Sequence, residues 1–188
     1  MMLLPFRRRP ERDPTIQALY GMIVAQARSP GFYRSYGVPD TVSARIDMIM
    51  LHLVLVLRRL RTGPADSDLS GQPLFDLFCQ DMDDNFREMG VGDLKVPKEM
   101  RRIGEAFYGR AKVYDEALDA GDLAALAGAL ERNVFGGPNP LGAGRLAAYM
   151  QEAVRGLSGV ADGALDQTQP LFPEPEAIAA QGTISVAG

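Results

Sequence analysis

The sequence predicts an all-α fold, a single bundle-like domain of about six helices around one buried helix. The stretch from Asp40 to Arg61, DTVSARIDMIMLHLVLVLRRLR, is the first reason. At the helical period of about 3.6 residues, Ile46, Ile49, Met50, Leu53, Leu57 and Leu60 form one apolar face. Met48, Leu51, Val54, Leu55 and Val56 cover most of the remainder. A helix apolar nearly all round lies inside a protein, so other helices must enclose it. The second reason is that residues 73–89 and 97–120 each carry an apolar stripe on one side and charges on the other. The third is that no stretch alternates apolar and polar residues convincingly enough for a strand.

Each element has its own local signals. Residues 1–12, MMLLPFRRRPER, are basic and proline-punctuated and read as a flexible arm. Its arginines either solubilise the terminus or touch anionic lipid or RNA. Asp13 caps a helix that has Pro14 at its first position and runs to about Arg28. Ile16, Leu19, Tyr20, Ile23 and Ala27 make its buried stripe. Residues 29–39 read as a loop whose aromatics, Phe32, Tyr33 and Tyr36, either pin it to the core or meet a partner. Asp40 is the predicted N-cap of the central helix. Arg58, Arg59 and Arg61 suit the negative end of its dipole, and Gly63-Pro64 stops it. Arg45, His52 and Arg59, seven apart, form one polar seam, and Asp47 and Arg58 mark a second. These seams are internal ion pairs or a strip facing water.

A polar loop over residues 62–72 leads to the helix of residues 73–89, where Leu74, Phe75, Phe78, Cys79, Met82, Phe86 and Met89 share a face. Gly90-Val91-Gly92-Asp93 is a tight connection, and Pro97 starts a helix to about Ala120. Met100, Ile103, Phe107, Ala111, Tyr114 and Leu118 form its stripe, which predicts that Phe107→Asp unfolds the protein. Gly104 and Gly109 inside it cost about 1 kcal/mol each against alanine, which predicts a close helix–helix approach there. Gly121 ends that helix, and Asp122 caps another to about Phe135. Residues 136–140 break the chain, and a last helix spans about Leu141 to Leu157. From residue 158 to residue 188 the composition turns to Gly, Ala, Pro, Asp and Gln and predicts a disordered tail, with Leu171-Phe172 as a short docking motif. The helical domain is thus residues 13–157.

Composition narrows the function. The chain has 188 residues, 46% of them hydrophobic, and a net charge of −4, which argues against a DNA-binding protein. One cysteine, Cys79, allows no intrachain disulfide and fits a reducing compartment. It sits on the apolar side of its helix and reads as an inert core residue. The longest uncharged part of the central helix, Met48–Leu57, falls well short of the roughly 20 residues a membrane span needs. The N-terminus puts its apolar piece before its basic one, opposite to a secretory signal. The expected location is the cytoplasm, with peripheral contact to the inner membrane left open.

Catalytic chemistry has few carriers. His52 is the only histidine, so no two-histidine metal site can form within one chain. No capable nucleophile can be placed beside it from sequence. Asp76, Asp81, Asp83, Asp84 and Glu88 crowd one face of the 73–89 helix, which would suit a hard metal ion. Without Glu-x-x-His pairs on other helices, an outward acidic face is the better reading. The glycines at 90–92 lack the Gly-Lys-Ser/Thr of a phosphate loop. Lys98, Arg101, Arg102 and Lys112 form a basic face with Glu105 among them. It either pairs with the acidic face across the hairpin or meets RNA, lipid headgroups or an acidic protein. No catalytic residue, metal site or cofactor is predicted.

Several stretches are more specific than these patterns. GVPDT at 37–41, Arg45, Asp47, LHLVLVLRRL at 51–60, FREMGVGDLKVPKEM at 86–100 and EAFYGR at 105–110 together resemble the ubiquinol–cytochrome c chaperone family. Weaker likeness extends from about Thr15 to Gly137. The family consists of assembly factors for respiratory complex III in mitochondria and alphaproteobacteria. The resemblance implies a non-enzymatic protein that holds newly made cytochrome b at the inner face of the bacterial membrane until hemes and other subunits arrive. It also implies nearness to the ribosome and a small co-chaperone, although nothing in this sequence identifies that partner. The absence of a long targeting extension departs from the mitochondrial pattern and fits a bacterial origin. Partner-binding residues implied by the two most distinctive motifs are Phe86, Arg87, Gly90, Gly92, Asp93, Lys95, Phe107, Tyr108 and Arg110. Phe86 and Phe107 have core packing, and the glycines the turn, as alternative roles. Two other functions compete: a helical adaptor for another membrane- or ribosome-associated client, and an enzyme built on the carboxylates of 76–88.

Overall fold

The computed structural model describes residues 13–62, 70–160 and 170–184, with side chains placed as far as Ala179. The basic arm at 1–12, most of the 62–72 loop and residues 161–169 and 185–188 lie outside the described residues. All regular secondary structure among the described residues is helical: α1 Pro14–Ala27, α2 Pro30–Ser35, α3 Val42–Thr62, α4 Gly71–Glu88, α5 Val96–Ala120, α6 Leu123–Leu130, α7 Pro140–Ser158 and α8 Pro175–Ile184. A π-helical turn, Glu131–Phe135, extends α6.

The predicted central helix is α3. From Met48 to Val56 every residue is buried. Helices α1, α4, α5 and α7 and the π turn all pack against it. Around it, α1 touches α4, α4 touches α5, α5 touches α6, α6 touches α7, and α8 bridges α7 to α2. The apolar stripes foreseen for α1, α4, α5 and α7 face this centre, with Ile23, Phe78, Phe107, Tyr114 and Met150 among the buried residues.

Local chemistry explains most ends. Asp13, Ser70, Asp122 and Asn139 accept from backbone N–H groups in the first turns of α1, α4, α6 and α7. The end of α4 is a Schellman closure, with Gly90 N donating to Arg87 O and Val91 N to Phe86 O. Its pivot, Gly90, has φ +78°, where a side chain is strained. Helix α5 ends the same way on Gly121, through Asp122 N to Ala117 O.

Several expectations need correction. The cap of α3 is Thr41, whose Oγ1 accepts from Ala44 N, while Asp40 is turned to Arg45 at 2.6 Å. Residues 30–35 are helix, with Phe32 and Tyr36 fully inside. A Cβ on Gly104 or Gly109 would meet nothing within 4 Å, so neither marks a close approach. That role falls to Gly142, where a Cβ would lie 2.3 Å from the Tyr36 carbonyl oxygen. Within the stretch read as a disordered tail, residues 170–184 have a defined place. Leu171 and Phe172 are buried against the core, and α8 follows.

Candidate functional site

The residues implied by the two family-like motifs divide into an inner and an outer set. Phe107 is buried, in an aromatic cluster where its ring lies 4.9 Å from Phe75 and 6.0 Å from Phe78. Arg110 points inward and pairs with Asp47 at 2.8 Å, joining α5 to α3. Burial pushes Asp47 up to about 6, and Arg110 and Ser43 draw it only partly back. Phe86 is half-buried. Phe107 and Arg110 thus have structural work that accounts for them.

The outer set is at the surface. Arg87 sits between Asp83, at 2.7 Å, and Asp93, tying the end of α4 to the turn that follows. Gly90 closes the helix. Gly92 has no positive φ and open space at its Cβ position, so the turn does not require a glycine there. Lys95 is exposed at the start of α5, and Tyr108 is 63% exposed on the outer side of the aromatic cluster. Tyr108 packs on Phe75, eleven residues before Phe86, or about 16 Å along the helix axis. The structure therefore groups Arg87, Gly90, Gly92, Asp93 and Lys95 at one corner and leaves Tyr108 apart from them.

Beside that corner lies a cleft of about 210 Å³ between α1, α3 and α4. Val42, Ile46, Ile49, Met82 and Met89 give it apolar walls, and Arg28, Arg45, Asp81 and Asn85 rim it. Met89 and Val42 are 51% and 57% exposed, and Leu94, in the adjoining turn, is 97% exposed. Sequence reasoning assigned no site role to these residues. The available signal was Met89, the last member of the α4 stripe, beyond which the partner helix gives out. Burying such residues on a partner is favourable by roughly 25 cal/mol per Å² of apolar area.

The acidic face of α4 does not converge on a point. Asp76 accepts from Gln72, Asp81 from the Tyr20 hydroxyl at 2.7 Å, and Asp83 from Arg87. No group of three or more His, Cys, Asp and Glu side chains among the described residues could hold a metal ion. The basic face of α5 is paired along its own helix, Arg101 with Glu105, Arg102 with Glu99 and Lys112 with Glu116. The polar seams of α3 are internal in part. Arg58 and Arg61 reach Asp115 on α5, Arg59 donates to the Leu157 and Val160 carbonyls, and Arg45 stays at the surface over the Tyr33 ring.

His52 is wholly buried at the centre. Its Nδ1 lies 2.8 Å from the Met48 carbonyl, which can only accept, so Nδ1 carries the proton. Its Nε2 then accepts from the Tyr149 hydroxyl at 2.9 Å, and that hydroxyl accepts from Gln26. Burial holds the imidazole down at about 4, so it is neutral and fully bonded at neutral pH. The chain of bonds ties α1, α3 and α7 together and leaves the ring no free lone pair for a ligand.

Geometry thus defines a helical body with an apolar cleft at one corner, and no helix among the described residues is long and apolar enough to cross a membrane. The class this fits is a binding protein for other polypeptides. The model of the family described as ubiquinol-cytochrome C chaperone matches residues 34–172, and the chain belongs to that family. The crystal structure of the Cbp3 homolog from Brucella abortus is similar at 35% identity and a TM-score of 0.77, over 88% of this chain and 92% of that one. No curated protein matches the sequence.

Proposed function

We propose that the protein is a non-enzymatic assembly chaperone that binds newly made cytochrome b and supports assembly of the ubiquinol–cytochrome c reductase complex. The family match over residues 34–172 carries this reading. The surface supports it physically. A cytochrome b chain before heme insertion exposes long apolar stretches, and the α1–α3–α4 cleft with its exposed Val42 and Met89, together with Leu94 in the adjoining turn, offers apolar area to shield one. Methionine suits the purpose because its unbranched, polarisable side chain adapts to varied apolar shapes. The protein acts on the cytoplasmic side of the inner membrane, where such a chain emerges.

The test is capture of newly translated cytochrome b by the tagged, full-length chain. Met89→Glu and Leu94→Glu each cut capture several-fold while the unfolding midpoint stays put, since both side chains are exposed. Lys112→Glu, on the outer side of α5, leaves capture unchanged. Equal capture by all variants would mean that the cleft does not hold the client. Failure of the wild-type chain to capture cytochrome b, with some other membrane protein recovered instead, would replace the reading with that of a general adaptor.

A further inference from the structure

We infer that residues 170–179, a proline-bearing bend leading into α8, form a displaceable strap, occupying an aromatic docking groove that an apolar, proline-bearing segment of a client takes in their place. The inference rests on the client-holding reading above and adds a second surface to it.

The groove floor is aromatic. Phe32, Tyr36, His52 and Tyr149 meet edge to face or tilted, with ring centroids 4.8 to 6.4 Å apart. On this floor lies Pro170-Leu171-Phe172-Pro173, a non-helical Pro-x-x-Pro segment. Phe172 sets its edge on His52 at 5.0 Å and 88°. Aromatic grooves that hold Pro-x-x-Pro segments are a recurrent way of binding peptides, because proline restricts the free chain and carries no N–H needing a partner. Pro170, Pro173 and Pro175 remove three such donors here.

The polar ties hold the strap without reading its side chains. Gln26 donates to the Pro173 carbonyl at 3.0 Å and Tyr36 to the Pro175 carbonyl at 2.7 Å. Both acceptors are main-chain groups, one just before α8 and one in its first turn, and another segment can present carbonyls there. Departure of the strap would orphan no buried histidine nitrogen, since His52 is satisfied by Met48 and Tyr149 alone. Gln26 would keep Tyr149, and Tyr36 would meet water or the replacing chain.

The fit is also incomplete. A cleft of about 370 Å³ opens between Met22, Ala25 and Gln26 on one side and Pro170, Leu171 and Phe172 on the other. A second, of about 300 Å³, lies where Ile178 meets Arg145 and Glu152. Protein interiors are close-packed, so a segment flanked by open space is held by fewer contacts than a core helix and opens at lower free energy. An empty groove would expose Phe32 and its neighbours, which favours exchange with another apolar segment over simple opening.

The test uses the full-length protein and a fluorescent peptide copying residues 170–179. Loosening the built-in strap raises the fraction of open groove, so Phe172→Ala binds the peptide about tenfold more tightly than wild type does. A peptide lacking that phenylalanine does not bind. Equal binding by wild type and variant, or none by either, would overturn the inference. A closed strap gives an independent arm should Phe172→Ala unfold. An ideal Cβ on Gly31 falls 3.1 Å from the Pro175 Cβ, a little under the short end of the disulfide range of about 3.5–4.5 Å, so a small outward shift of the strap lets the two sulfurs join. In a Cys79→Ser background, oxidised Gly31→Cys/Pro175→Cys excludes the peptide and the reduced form admits it. Binding in both redox states would overturn the inference. The same pair separates the two readings. Loss of cytochrome b capture on oxidation supports the strap, and equal capture refutes it while the chaperone reading stands. Peptide exchange without cytochrome b capture in either state leaves the strap and overturns the chaperone reading.

Discussion

At the residue scale, two buried groups on α3 set opposite pH dependences. His52 titrates at about 4 in the folded protein against 6.5 ordinarily. The unfolded chain therefore binds more protons between these values, and stability is lost as pH falls through that window. Asp47 is raised from 3.8 to about 6, so its contribution is present at low pH and lost as pH rises through about 6. Between about pH 7.5 and about pH 5 the histidine costs about 2 kcal/mol and the aspartate returns about 1 kcal/mol. Urea unfolding at the two pH values should show His52→Gln losing less stability on acidification than wild type, by about 2 kcal/mol. Identical losses would mean that His52 is solvated or already charged. The sequence placed His52 on a polar seam with Arg45 and Arg59 but could not say that the seam changes environment along its length. Arg45 is exposed, His52 is enclosed and Arg59 is buried against the end of α7. Spacing along a helix fixes a common face, while depth depends on what covers each level of it.

At the scale of elements, glycine shows what a pattern can and cannot convey. Gly104 and Gly109 looked like contact points because helices tolerate glycine poorly. Their Cβ positions are open, so Gly104→Ala should raise stability by about 0.5–1 kcal/mol. At Gly142 a Cβ would meet the Tyr36 carbonyl, which is backbone and cannot swing away, so Gly142→Ala should cost more than about 2 kcal/mol as α7 is forced from α2. Thermal unfolding of both variants checks the pair, and the opposite ranking would mean the α2–α7 approach is wrong. Both glycines sit in helices, and only the tertiary partner of α7 distinguishes them. The α4–α5 hairpin was legible from its stripes and Gly90. Phe107→Asp should abolish cooperative unfolding, because its charge would be buried against Phe75 and Phe78 without a partner. A normal melting curve for that variant would place Phe107 at the surface. Residues 170–184 were hidden from composition because Leu171 and Phe172 are too few to signal order. Their place depends on the aromatic floor built by helices far away in sequence.

For the whole molecule, the enclosed α3 and the family-like motifs gave the architecture and the family, while the surface that matters had to be seen. Motif residues proved partly internal: Phe107 and Arg110 hold α5 to its neighbours, and Asp47 is the buried partner of Arg110. A motif marks what a family needs, and folding is among those needs. The apolar cleft is assembled from three helices whose outward residues carry no shared signal along the chain. In the proposed function, this helical body shields newly made cytochrome b until complex III forms. The most direct measurement is a reduced-minus-oxidised heme spectrum of membranes from cells lacking the gene, with cytochromes b and c resolved. A cytochrome b chaperone should show selective loss of the cytochrome b signal and of quinol–cytochrome c activity, both restored by the wild-type gene and not by Met89→Glu. An unchanged spectrum, or equal loss across unrelated membrane complexes, would contradict it.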